Sequence, residues 1–150
     1  MNAPPTSESD TTATLDTVIL MIHLMLAACR GKKCIAMTMN PIAIAVSGWK
    51  WKGPPFLKPR IDETINLAVT LGCMTTHSFD QGVPGRFYAC HAERQQFMNW
   101  LIENNITANT NSEVRRVFNC QTSINVCDNC KRFFSSAADH YNVEVVLNTP

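Results

Sequence analysis

The stretch Cys90-His91-Ala92-Glu93, read with Cys127-Asp128-Asn129-Cys130 further along, decides how this chain is read. A histidine and a glutamate two apart, followed later by C-x-x-C, form a metal-site pattern that also carries a general acid/base. Cys127 and Cys130 stand three apart at the expected start of a helix, a spacing that turns both sulfurs the same way. The partial positive charge and free N–H groups of a helix N-terminus favour thiolates. Two thiolates and one imidazole give zinc three protein ligands. The fourth tetrahedral position is left for water, as in catalytic rather than structural zinc sites.

Glu93 adds the chemistry. Two residues along a helix lie about 200° apart, so His91 and Glu93 cannot share a side face. Both reach one point if His91 sits at the helix mouth and Glu93 looks off the end from the first turn. A carboxylate in that place can take a proton from a water at the metal and deliver it to a substrate nitrogen. On the residues alone two other readings stay open. One is a structural zinc site built from Cys127, Cys130 and two of Cys73, His77, Cys90 and Cys120; the other is no metal at all.

Working outward, 150 residues with 45% apolar content predict one packed domain rather than a disordered or fibrous chain. Residues 1–13 are rich in Pro, Ser and Thr and are expected to form a disordered tail before a single catalytic domain over 14–150. Thr14 or Asp16 caps an expected helix that runs to about Cys29. Its apolar run is too short to span a bilayer. Acidic residues rather than basic ones precede it, so it does not read as a signal peptide. No membrane association is expected. Seven cysteines are an odd number and do not form a small secreted disulfide framework. They predict a reducing intracellular compartment, cytoplasmic or nuclear, with delivery as a toxin compatible.

Residues 34–39 and 42–47 read as a hairpin turned at Asn40-Pro41. Both strands are apolar on two faces, as in a sheet covered by helices. Helices are expected over 61–71, over 91–104 and from Cys127 to about Ala138. Extended chain is expected over 113–126 and a last strand over 143–147. The order predicts a three-layer α/β/α fold. Net charge is only +1, yet Arg30, Lys32, Lys33, Lys50, Lys52, Lys58 and Arg60 fall in one acid-free stretch. Within it, Gly48 to Arg60 interleaves Trp49, Trp51 and Phe56 with lysines, a combination that can stack bases and hold phosphates. A Trp pair covering a core edge, beside a solvated basic strip, is the plain alternative.

At these residues the sequence resembles the zinc-dependent cytidine deaminase-like superfamily, whose signature is H-x-E followed by P-C-x-x-C. More narrowly, Gly85 to Gln96 and Cys127 to Phe134 resemble the branch found in bacterial toxins and fungal proteins of deaminase type. The resemblance implies an α/β/α sandwich with a mixed central sheet. It implies zinc on His91, Cys127 and Cys130, and Glu93 as the proton shuttle. Ser123, Asn125 and Val126 would line the base pocket with Ala92, and Asn40 would contact the sugar. Two departures stand out. Val126 replaces the proline before the first cysteine. A last helix and strand common in the superfamily have no counterpart, so either a compact branch or a piece of a longer parent chain is expected, with a sheet edge that a partner protein could cover.

The expected activity is hydrolytic deamination of cytosine to uracil in nucleic acid, single-stranded DNA in particular, because a buried site cannot reach a stacked base. Trp49 and Trp51 would stack bases beside it. Deamination of free cytidine, deoxycytidine or a nucleotide is one alternative. A non-catalytic zinc-stabilised binding module is the other.

Overall fold

The computed structural model describes residues 34–39, 42–48, 60–109 and 114–150, together with His23. The expected tail, Asn40, Trp49, Trp51 and most of the first helix lie outside the described residues; His23, within that helix, is helical. The chain divides into two compact units, Met1–Lys33 and Cys34–Pro150. The second carries the site.

Its strands are β1 (Ile35–Met39), β2 (Ile42–Val46), β3 (Val117–Thr122) and β4 (Glu144–Asn148). Its helices are α1 (Ile61–Thr70), the single turn α2 (Arg86–Ala89), α3 (Ala92–Glu103) and α4 (Asp128–Tyr141). The four strands form one mixed sheet in the order β2-β1-β3-β4. The hairpin pairs antiparallel with Ile35 opposite Val46, as expected from its sequence. β1 pairs antiparallel with β3. β3 and β4 run parallel, with Val117 opposite Glu144, and α4 makes the crossover that parallel neighbours require. The architecture is α/β with a mixed sheet, consistent with the expected cytidine deaminase-like sandwich.

Alternation along β3 shows how the core is set. Phe118, Cys120 and Thr122 are buried, while Val117, Asn119 and Gln121 are exposed. Phe97 of α3 meets Phe118 edge-on at 5.1 Å and Phe134 of α4 at 5.4 Å. Such aromatic pairs add about 0.5–1.5 kcal/mol each beyond their burial. They lock α3 to β3 and α4, and so fix the two helix starts relative to one another. α4 runs three residues past its expected end because Asn142 closes it in the left-handed region (φ 52°, ψ 50°). Among the described residues β2 and β4 are the sheet's edges, and no helix is long and apolar enough to cross a membrane.

Candidate active site

Two helix mouths meet at the end of β1 and β3. His91 is the N-cap of α3, extended at φ −62° and ψ 137°, so its ring projects from the helix end. Cys127 is the N-cap of α4, extended at φ −71° and ψ 159°, and its sulfur accepts from the Cys130 N–H at 3.4 Å. Cys130 lies fully buried in the first turn. The ligand atoms of His91, Cys127 and Cys130 all lie within 4.8 Å of one another. His91 Nδ1 stands 3.2 Å from Cys130 Sγ and 3.6 Å from Cys127 Sγ. Tetrahedral zinc with ordinary Zn–N and Zn–S bonds separates its nitrogen and sulfur ligands by about 3.6 Å. The donor set and its spacing therefore fit the ion. Among the described residues this is the one such group of three or more ligands, so Cys73, His77, Cys90 and Cys120 do not assemble the structural site that the residues alone left open. Cys90 is buried, with its thiol on Phe87 O at 3.0 Å.

Glu93 is 3% exposed, and its Oε1 lies 3.8 Å from His91 Nδ1. The mouth-and-first-turn placement expected for the pair is what the chain adopts. The other carboxylate oxygen accepts from the Cys34 thiol at 3.9 Å. Burial, and then the charge of Glu93, push the Cys34 thiol up to about 11, which keeps it a donor. Cys34 sits one residue before β1, and no local pattern in the sequence places it beside Glu93.

A buried cation completes the cluster. Arg94 is 2% exposed; its Nε–H donates to Cys130 Sγ at 3.2 Å and its Nη2 donates to Asn129 Oδ1. Its guanidinium lies over the Phe133 ring, 4.3 Å from the centroid. A divalent ion between two thiolates, with Glu93 and Arg94 both charged, leaves this buried group neutral; uncompensated charge there would be costly. The hydrogen bond from Cys130, and then contact with His91, overcome burial and drive the Cys127 thiol down to about 3. The Cys130 thiol is pushed up by its hydrogen bond with Cys127, then by burial and by the charge of Glu93. The pair thus carries one negative charge readily and gives up its second proton when a cation arrives. Sequence reasoning misses Arg94; its one signal is a basic residue directly after Glu93.

The residues expected to line a base pocket fall as follows. Ala92 is buried behind the helix mouth, Val126 is buried beside Cys127, and Asn125 is exposed. Ser123 is engaged with β1: its Oγ accepts from Ile35 N–H at 2.8 Å, and its own N–H donates to Ile35 O at 2.9 Å. It pins β3 to β1 directly under the site. Gln95 adds a second anchor, donating to Cys90 O at 2.8 Å and Val46 O at 3.2 Å. The bond to Val46 holds the first turn of α3 against the sheet.

The family model for the C-terminal region of Single-strand DNA deaminase toxin A matches residues 44–97. The match contains His91 and Glu93 and ends before the two cysteines. It supports the resemblance to the toxin-type nucleic-acid deaminases that Gly85 to Gln96 carry. No curated protein matches the chain.

Proposed function

We propose that this protein is a zinc-dependent deaminase that converts cytosine to uracil in single-stranded DNA. The observation that carries the reading is the buried Glu93 carboxylate, 3.8 Å from the imidazole of a three-ligand His-Cys-Cys set. A purely structural metal site has no use for that carboxylate. The match to a single-strand DNA deaminase toxin region supports the substrate class.

His91, Cys127 and Cys130 would hold the ion. When bound, zinc supplies the Lewis acidity that makes a water nucleophilic near neutral pH. Glu93 takes the proton of the attacking water and gives one to ring N3. It then takes the proton of the new C4 hydroxyl and passes it to the amino group as the C4–N bond breaks and the C4 carbonyl forms, so that cytosine and water leave as uracil and ammonia. Cys34 holds the far oxygen of the Glu93 carboxylate, which leaves Oε1 directed toward His91. Arg94 holds Cys130 in its ligand orientation.

The test is a deamination assay on single- and double-stranded oligonucleotides containing all four bases, run beside free cytidine. Uracil in single-stranded DNA is the expected product, and its loss on zinc chelation with recovery on zinc addition is expected with it. Ammonia released from cytidine alone would overturn the assigned substrate.

A further inference from the structure

The loop between α1 and α2 carries a run of rings that this chemistry does not use. His77 stacks on Phe87 with centroids 3.8 Å apart and planes 14° apart. Phe79 stacks on His77 at 5.4 Å and 24°, and lies 6.1 Å from Phe87. Phe87 in turn meets His91 edge-on at 5.3 Å. The rings form an unbroken path from a metal-ligand candidate to Phe79, which is 63% exposed.

The path is held rigid. The buried carboxylate of Asp80 accepts from the N–H groups of His77 at 2.9 Å, Gly85 at 3.0 Å and Phe87 at 2.9 Å. His77 Nδ1 accepts from the Phe79 N–H at 3.1 Å. Gly85 turns the chain at φ 84°, and a side chain there would press on Met74 at 3.3 Å. A large ring left in water forgoes the stabilisation of burial. Here it stands on a loop fastened by three bonds to one carboxylate, two ring contacts from the His91 ring by way of Phe87.

We propose that Phe79, supported by His77 and Phe87, is a stacking platform for a base adjoining the target base in the substrate strand. The inference rests on the nucleic-acid reading above. A single strand whose target base enters the site must carry its neighbouring nucleotides across the adjacent surface. Every base offers a π-face to an exposed ring, so the contact is tolerant of sequence. The platform raises affinity for a strand over a free nucleoside without choosing among flanking bases.

The experiment uses oligonucleotides with one cytosine and 2-aminopurine at its 5′ or its 3′ neighbour, whose fluorescence is quenched on stacking. Binding is measured with the Glu93→Gln protein, so that turnover does not intervene. Quenching is expected at one of the two neighbours. Adding Phe79→Ala removes it and weakens binding at least about fivefold, whatever the flanking base. Phe79→Trp restores both. Ile102→Ala, which truncates an exposed side chain near the C-terminal end of α3, leaves both as they were. With Glu93 in place, Phe79→Ala raises KM for the oligonucleotide. If the unsubstituted protein deaminates oligonucleotides and Phe79→Ala alters neither binding nor quenching, the platform is refuted while the activity stands. If it deaminates cytidine and no oligonucleotide, both fall together.

Discussion

The two helices that meet at the site begin on the same kind of residue and diverge from the first turn onward. Each opens on an extended residue carrying a metal-ligand side chain, His91 for α3 and Cys127 for α4. Each has an acid in its first turn. Asp128 of α4 is 96% exposed at its side chain and pairs with Lys131 at 3.8 Å on the surface. Glu93 of α3 is buried. The contrast continues along the helices. α4 buries Phe133, Phe134 and Ala137 and turns its charges outward, as an amphipathic helix does. α3 buries Glu93, Arg94, Gln95, Gln96 and Asn99 along with Phe97 and Leu101. A helix that buries a row of polar groups is stabilised only if each finds a partner. In α3 Arg94 donates to the Cys130 sulfur, Gln95 to the Val46 carbonyl at the end of β2 and the Gln96 amide nitrogen to Thr38, while Gln96 Oε1 is left without a partner among the described residues. α4 is a structural helix with a functional tip; α3 is specialised through most of its length.

That contrast is open to attack, and the largest effect belongs to α3. Glu93→Gln should lower turnover by roughly a hundred- to ten-thousand-fold while elemental analysis still finds zinc. Cys130→Ser at the tip of α4 should instead lose the metal, seen as zinc content well below one ion per chain and a lower melting temperature. If Glu93→Gln lost zinc as well, the distinction between ligand and proton carrier would fail.

The loop that presents α3 comes next. Asp80→Asn should cost on the order of 3 kcal/mol, since three N–H groups lose a charged acceptor; chemical denaturation measures it. Burial works to raise the Asp80 pKa, but the N–H groups of Phe87, His77 and Gly85 outweigh it and hold the value below the ordinary range. A depressed folded-state pKa contributes stability that is full above the unfolded value and is lost as pH falls through the folded one. The parent protein should therefore weaken below about pH 4, and the variant's acid limb should be flatter. Arg94→Lys should weaken zinc binding roughly ten- to a hundredfold by removing the donor that orients Cys130, read by competition with a chelator. Asp128→Ala should change neither zinc content nor turnover. A marked loss there would erase the difference between the two first turns.

The same contrast explains how much of the molecule is legible in its sequence. The hairpin, α1 and the ligand spacings are legible because each depends on neighbours in sequence. α4 is legible because its apolar face repeats along the helix. α3 is located by its ends and by Phe97 and Leu101, but the burial of Arg94, Gln95 and Gln96 is not visible, because polar residues on every face carry no period. The single turn α2 reads as plain connection; four residues are too few to show a repeat. Cys34 beside Glu93 and the pin from Ser123 to Ile35 join residues far apart in the chain, and only the pairing of β1 with β3 brings them together. The platform of His77 and Phe79 is hidden for another reason. Its rings are spaced by a loop whose shape is set by one carboxylate.

The split origin of the site has a consequence for how the protein reaches its native state. His91 and the two cysteines come from helices separated by β3, and β3 must pair with β1 before the two mouths meet. The ligand set is therefore scattered until long-range strand pairing is complete. Such pairing is slow relative to local helix formation. Unlike a small zinc finger, where the ion directs folding, this chain should acquire full affinity for zinc late. A chelating dye that follows zinc uptake during refolding should lag behind the helical signal and coincide with the slowest protein phase.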